Sequence, residues 1–134
     1  MKKTIVLLLA VVLFACQQQN SRPENTLTAP LTAEFVEITT FRLNPGIAEA
    51  VFLTTAQQMQ RTFLNEQAGF IKRTLTYAAD SVWVDIVYWK DQHSAERAMQ
   101  QAERSAEALP FMEKIDLSSI EMRWTSPKLT TEYE

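Results

Sequence analysis

The sequence has few of the residues from which metal, nucleotide and nucleophile sites are built. Its 134 residues include one cysteine, one histidine and two glycines, which stand twenty-three positions apart. One histidine without clustered carboxylates gives no zinc or iron ligand set, and the spacing of the glycines excludes a glycine-rich phosphate loop. Neither a Cys/His nor a Ser/His/Asp nucleophile arrangement can be assembled. We therefore expect no metal and no cofactor.

Long apolar runs are also missing, except at the N-terminus. Two lysines are followed by an apolar run over residues 4–15 and then by Cys16, the only cysteine. Twelve residues are too few to span a bilayer core, which needs roughly 20, so the pattern predicts a signal peptide over residues 1–15. The residues before Cys16 also resemble the lipobox of bacterial lipoproteins. That resemblance implies cleavage before Cys16 and its acylation with lipid such as palmitate; the alternative is an ordinary signal peptide cut elsewhere, with Cys16 incidental.

The net charge of the processed chain limits the classes of partner that it can bind. Removal of residues 1–15 takes away two of the thirteen basic residues, so eleven basic and sixteen acidic residues remain and the formal charge is −5. An acidic domain is a poor partner for nucleic acid and for anionic lipid headgroups. Membrane attachment would then come from acyl chains alone. Residue 17, directly after the cysteine, is glutamine and not aspartate. This favours anchoring at the periplasmic face of a Gram-negative outer membrane.

The remaining chain divides into a tether, one domain and a short tail. Residues 16–33 are polar and contain two prolines, which predicts a flexible tether after the lipidated cysteine. The domain covers residues 34–125, and a polar tail covers residues 126–134. Hydrophobic periodicity within the domain predicts strands over residues 34–43, 70–78, 82–89 and 117–124, with helices over residues 47–66 and 91–109.

This order, β-α-β-β-α-β, is typical of the ferredoxin-like α+β sandwich, in which two helices cover one face of a four-stranded antiparallel sheet. Asp91 is the expected N-cap of the second helix, and Pro110 is expected to end it. The buried stripe of that helix is predicted from small and apolar residues at helical spacing: Ala95, Ala98, Met99, Ala102, Ala106 and Leu109.

The turn between the second and third strands decides which side chains face the helices. A two-residue turn at Asp80-Ser81 pairs Ala79 with Val82 and sorts the hairpin into two faces. The face under the helices would carry Leu75, Tyr77, Val84, Ile86 and Tyr88. The open face would carry Lys72, Thr74, Thr76, Trp83, Asp85, Val87 and Trp89. A three-residue loop would invert this assignment. Because an open aromatic face is rare on a monomer, we expect a homodimer in which two sheets face each other.

Three motifs carry a resemblance to a known superfamily. F-R-L-N-P-G at 41–46, A-G-F-I-K-R at 68–73 and W-V-D-I-V-Y-W-K-D at 83–91 are similar to the dimeric α+β barrel superfamily, and within it to antibiotic-biosynthesis-monooxygenase (ABM) domains. The resemblance covers about residues 34–125. It implies a dimer and a range of activities, among them cofactor-free oxygenation and haem degradation. Haem degradation needs an asparagine, a tryptophan and a ligating histidine, and here the first and third strands lack asparagine while His93 stands at a helix start.

The remaining candidates for chemistry are two carboxylates. Asp85 lies in the third strand, and Glu37 lies in the first, which is its neighbour in this fold. A carboxylate beside Trp83 and Trp89 would be desolvated, so its pKa would rise toward that of a useful general base. The ligand-pocket or dimer face would then comprise Trp83, Trp89, Lys72, Thr74 and Thr76. The blander alternative is that Asp85 forms a structural ion pair with Lys72, Arg73 or Arg123, and that the tryptophans belong to the core or interface.

Two classes of function therefore stay open. The first is a lipid-anchored ABM-like domain, either a cofactor-free monooxygenase or a small-ligand protein, acting on an apolar or aromatic compound in the cell envelope. The second is a non-catalytic dimeric lipoprotein with a structural or interaction role. A cavity of roughly 300 Å³ or more containing a carboxylate favours the first class, and a filled interface favours the second.

Overall fold

Four strands and three helices form most of residues 32–131, the part of the chain that the computed structural model describes. The strands are β1 (Phe35–Leu43), β2 (Phe70–Tyr77), β3 (Trp83–Trp89) and β4 (Ile115–Thr125). The helices are α1 (Glu49–Thr62), α2 (Gln92–Ala102) and the single turn α3 (Leu109–Met112), and a 3-10 turn at Leu64–Glu66 follows α1. The predicted signal peptide, the lipidation site Cys16 and nearly all of the tether lie outside the described residues. Within residues 32–131, no helix is both long enough and apolar enough to cross a membrane.

The sheet has the strand order β2-β3-β1-β4, and every neighbouring pair is antiparallel. This confirms the predicted ferredoxin-like α+β fold. The central strands β1 and β3 are rich in β-branched and aromatic residues, which pack well on a pleated surface. Because β1 and β3 are neighbours, Glu37 and Asp85 lie on adjacent strands, as predicted.

The register of the β2–β3 hairpin differs from the prediction by one residue. Trp83 pairs with Tyr77 and not with Ala78, and Asp85 pairs with Leu75 and not with Thr76. The prediction of a two-residue turn is therefore wrong.

The loop that joins these strands has three residues, 79–81. The amide of Ala78 donates to the carbonyl of Val82 at 2.8 Å, and the amide of Ser81 donates to the carbonyl of Ala78 at 3.1 Å. Ser81 adopts φ = 67°, in the left-handed region. A left-handed residue at the third position is the usual ending of a three-residue hairpin loop.

The extra loop residue exchanges the two faces of β3 relative to β2, because side chains alternate along a strand. On β2, Leu75 and Tyr77 lie on the helix side as predicted, paired with Asp85 and Trp83. Trp83, Asp85, Val87 and Trp89 are buried and face the helices, whereas the prediction placed them on the open face. The open face instead carries Val84, Ile86 and Tyr88 of β3, with Lys72, Thr74 and Thr76 of β2 paired beside them. The predicted grouping of Lys72, Thr74 and Thr76 with the two tryptophans is therefore wrong.

An aromatic cluster joins the helices to the sheet. The ring of Phe52 on α1 lies 4.7 Å from that of Trp83, 5.7 Å from that of Phe41 and 5.3 Å from that of Phe111, between ring centroids. Phe52 is fully buried. This cluster fills the end of the interior next to the β2–β3 loop, and the interpretation of Trp83 as a core residue is confirmed.

The second predicted helix, residues 91–109, is shorter in the structure. Asp91 caps α2 as expected, since its side chain accepts a hydrogen bond from the amide of Ser94 at 2.7 Å. However, α2 ends at Ala102, and the predicted stripe residues Ala106 and Leu109 are exposed. Pro110 lies in the first turn of α3 instead of ending α2. Proline suits both the end of one helix and the first turn of the next. Backbone nitrogens in a first helical turn have no acceptor within the helix, so proline loses no hydrogen bond there.

Candidate functional site

A cavity of about 250 Å³ lies between the sheet and the helices. Its volume is close to the lower end of the range of about 300–1,000 Å³ that is usual for small-molecule sites. Most of its wall is apolar, and five side chains in it carry polar groups. The apolar wall includes Phe41, Met59, Phe63, Leu64, Val87, Ala98, Met99, Ala102, Ala108, Phe111, Met112, Ile115, Ile120 and Met122; the polar groups belong to Glu37, Thr39, Asp85, Trp89 and Glu103.

Asp85 forms a two-pronged ion pair with Arg73 of the neighbouring strand β2. Nε and Nη2 of the arginine donate to Oδ1 and Oδ2 of the aspartate at 2.7 and 2.6 Å. The arginine side chain is only 2% exposed, donates a further bond to the carbonyl of Ala56 at 3.3 Å and lies 4.9 Å from the ring centroid of Phe111. Of the three ion-pair partners considered for Asp85, Arg73 is the one found. A buried pair with this geometry holds the aspartate in one orientation.

Glu37 lies in a different environment from Asp85, although the two are close. In the sheet Glu37 is opposite Val87 and Asp85 is opposite Thr39, so the two carboxylates are diagonal neighbours on one face. The pKa of Glu37 is raised from 4.5 to about 7: burial is the largest cause, the charge of Asp85 adds to the rise, and the charge of Arg73 offsets part of it. A carboxyl group in this state exchanges its proton near neutral pH, which is what a general base requires.

Trp89 lines the cavity and carries a hydrogen-bond donor that is enclosed by protein. The residue is 2% exposed, and among the described residues its indole Nε1–H is a buried side-chain group without a partner. Buried donors are normally paired, because an unpaired one costs roughly 1–3 kcal/mol.

The wall is also rich in methionine. The sequence has five methionines, and all four that follow Met1 line the cavity: Met59, Met99, Met112 and Met122. Methionine side chains are flexible and polarisable, and their sulfur atoms make favourable contacts with aromatic rings. The wall can thus adapt to a flat apolar molecule.

The structure brings together part of the predicted site. Glu37, Asp85 and Trp89 line the cavity, whereas Trp83 belongs to the core and Lys72, Thr74 and Thr76 lie on the opposite face. His93 is exposed in the first turn of α2. Within residues 32–131, no group of three or more His, Cys, Asp or Glu side chains is placed to hold a metal ion.

Sequence reasoning missed the methionine wall. Met99 was assigned to the buried stripe of the second helix and Met59 lies in the first predicted helix, while Met112 lies between the second predicted helix and the fourth predicted strand. Met122 stands two residues before Trp124 in a strand, so alternation alone places both side chains on one face. The residues that line a cavity depend on how the helices pack, which periodicity does not give.

No protein-family model and no curated protein matches this chain. Solved structures of ABM-type monooxygenase domains share its fold. SnoaB, a cofactor-independent oxygenase from Streptomyces nogalater, has 22% sequence identity and a TM-score of 0.59 over 74% of this chain and 97% of its own.

Two further structures agree with this comparison. A monooxygenase from Streptomyces coelicolor, ActVA-Orf6, solved with the ligand nanaomycin D, has 18% identity and a TM-score of 0.58 over 76% of this chain and 94% of its own. A candidate antibiotic biosynthesis monooxygenase from Bordetella bronchiseptica has 17% identity and a TM-score of 0.61 over 73% of this chain and 100% of its own. At these identities the likeness is one of fold.

Proposed function

We propose that this chain is a lipid-anchored, ABM-like protein of the bacterial cell envelope that oxygenates an apolar or aromatic compound without a cofactor. The observation that carries this proposal is Glu37, a carboxyl group in a mostly apolar cavity whose pKa is raised to about 7, chiefly by burial. The fold shared with SnoaB, a cofactor-independent oxygenase, supports the same reaction class.

In the proposed reaction, ionised Glu37 removes the proton of an electron-rich hydroxyarene, and the ring carbon para to the oxygen then reacts with dioxygen. The resulting peroxide takes up a proton and loses water, so one naphthol and one O₂ give one naphthoquinone and one water. The substrate supplies both electrons that the second oxygen atom needs. The Arg73–Asp85 pair is neutral overall, so Asp85 adds no uncompensated negative charge against the substrate anion while it forms.

Oxygen uptake tests the proposal directly. The full-length protein in detergent micelles is incubated with 1-naphthol, and the oxygen consumed, the quinone formed and the hydrogen peroxide released are measured. We expect one O₂ per quinone, no peroxide, and a loss of at least about 100-fold in rate in Glu37→Gln, the size expected when a general base is removed. Glu96→Gln, on the outer part of α2 and away from the cavity wall, is the matched control. Wild-type rates equal to those of Glu37→Gln would refute the proposal.

The proposed location rests on the N-terminal sequence. A basic start, an apolar run of about signal-peptide length and Cys16 together support lipidation at that cysteine and anchoring at the periplasmic face of the outer membrane. Cys16→Ser should release the protein from the membrane fraction and abolish incorporation of labelled palmitate. Retention of Cys16→Ser in the membrane would rule out this anchor.

The second candidate is a non-catalytic dimeric lipoprotein with a structural or interaction role. The open sheet face favours a dimer, because Val84, Ile86 and Tyr88 form an apolar strip on the side that α1 and α2 do not cover. A protein that dimerises but consumes no oxygen with any hydroxyarene would fit this candidate.

A further inference from the structure

The charged groups in the cavity wall are all acidic. Glu37, Asp85 and Glu103 line the cavity, and no lysine, arginine or histidine does. Arg73 neutralises Asp85 from outside the wall, where it is 2% exposed and packed over Phe111. Once Glu37 is ionised, the cavity therefore carries a net negative charge.

The uncharged part of the wall is electron-rich as well. Phe63, Phe111, Trp89 and the four methionines line it. Ring faces attract cations through their quadrupole, by about 0.5–2 kcal/mol. These groups favour a positively charged ligand over a ligand of the same shape that carries a carboxylate.

The polar groups are spread between the interior and the mouth. Glu37 lies on the sheet, where it is an acceptor when ionised. Glu103 follows the end of α2 and is exposed, so it stands at the mouth. A hydroxyl group on a ligand can donate to Glu37, while an ammonium group, which holds water strongly, remains at the mouth beside Glu103.

We propose that the cavity selects hydroxyaryl amines: an aromatic ring with a hydroxyl group directed to Glu37 and a protonated amine directed to Glu103. This inference deepens the proposed function and rests on the cavity being its ligand site. It predicts that a cationic ligand binds more tightly than a neutral one of the same shape, and a neutral one more tightly than an anion.

Three phenols of matched shape test the charge preference. Tyramine is the cation, 4-ethylphenol is neutral and 3-(4-hydroxyphenyl)propionate is the anion, and calorimetric titration of the full-length protein in micelles at pH 8 gives each affinity. We expect tyramine to bind at least about tenfold more tightly than the propionate, since both Glu37 and Glu103 contribute. High salt should reduce the contribution of exposed Glu103 to this preference for tyramine more than the contribution of the more buried Glu37.

Charge-neutralising variants identify the cause. In Glu37→Gln/Glu103→Gln the ratio of the tyramine and propionate affinities should fall below about threefold, and in the control Glu96→Gln it should remain at the wild-type value. Equal affinities in the wild type, an undiminished ratio in the double variant, or no binding of any of the three phenols would each overturn the inference. Oxygenation of naphthol without charge preference would overturn only this inference, and charge preference without oxygen uptake would overturn only the proposed reaction.

Discussion

Two carboxylates that are diagonal neighbours on one face of the sheet differ because only Asp85 is bonded directly to a cation. Asp85 accepts two bonds from Arg73, whereas Glu37 senses that arginine only at longer range and loses most of its water. Desolvation without a compensating partner favours the neutral form of an acid. The division of roles follows: Asp85 and Arg73 form a fixed dipole, and Glu37 is the group that exchanges a proton.

The raised pKa of Glu37 makes stability depend on pH in a defined direction. Between pH 4.5 and about 7 the folded state holds a proton on Glu37 that the unfolded state has lost, so the free energy of unfolding falls as pH rises through this window. The shift from 4.5 to about 7 corresponds to a loss of about 3 kcal/mol by pH 8. Glu37→Gln removes the titrating group, so we expect the variant to be more stable than the wild type at pH 8 and to lack this part of the slope.

Urea unfolding followed by circular dichroism at pH 5 and pH 8 measures both free energies. The informative quantity is the difference between the two proteins, because every other titrating group is common to them. Parallel pH profiles for the wild type and Glu37→Gln would show that Glu37 titrates at its ordinary value when folded.

Removal of one member of the Arg73–Asp85 pair should be costly. Asp85→Asn leaves the guanidinium of Arg73 buried without its counter-charge, and a buried pair broken in this way costs about 3–5 kcal/mol. Arg73→Leu/Asp85→Leu removes both charges and should recover most of that loss. Urea midpoints compare the three proteins, and a cost below about 1 kcal/mol for Asp85→Asn would mean that water reaches the pair.

At the scale of elements, the β2–β3 loop determines which side of the sheet holds the site. Ser81 adopts a left-handed conformation that costs a residue with a side chain about 1–2 kcal/mol. Ser81→Gly should therefore raise the free energy of unfolding by up to about 1 kcal/mol, after allowance for the greater freedom of glycine in the unfolded chain. Thermal unfolding measures the change. Ala79→Gly, at a loop position without positive φ, should lower stability, and a gain from both substitutions would contradict the argument.

This loop also explains what the sequence could not reveal. The run V-W-V-D-I-V-Y-W is apolar at odd and even positions alike, so hydrophobic alternation does not identify its buried face. Turn length was the remaining criterion, and serine in place of glycine at the left-handed position hid the three-residue loop. Strand order and strand type were predictable, because β-branched periodicity and the β-α-β-β-α-β order depend on local pattern.

The predicted proximity of Glu37 and Asp85 does not depend on the β2–β3 register, which was predicted wrongly. Both side chains belong to one face through the β1–β3 pairing, which does not involve the β2–β3 turn. If the side of the sheet that faces the helices is assigned wrongly, Glu37 and Asp85 are both placed on the wrong side and still lie next to each other. The cavity itself was not predictable, because it arises where short α2 and α3 leave space above the sheet and small side chains such as Ala98 and Ala102 line it.

For the whole molecule, the exchange of faces changes the surface expected to form a dimer. The open face presents Val84, Ile86 and Tyr88 at its centre, with the ammonium of Lys72 lying 4.4 Å from the ring centroid of Tyr88. On β4 the same face carries Glu121 and Arg123, through their pairing with Thr40 and Ile38 of β1. An apolar strip with charges of both signs at its edges can face a second copy of itself without net repulsion.

We therefore expect a homodimer that forms through the open sheet face. Ile86→Arg places a charge at the centre of the apolar strip and should yield a monomer at micromolar concentration, as measured by native mass spectrometry of the protein released from micelles. Val51→Arg is the matched control, since Val51 is an exposed apolar residue on α1, on the other side of the sheet. It should remain dimeric. A monomeric wild type would exclude the dimer, whereas dissociation by Val51→Arg and not by Ile86→Arg would place the contact on the helices and leave the strip of Val84, Ile86 and Tyr88 for another partner.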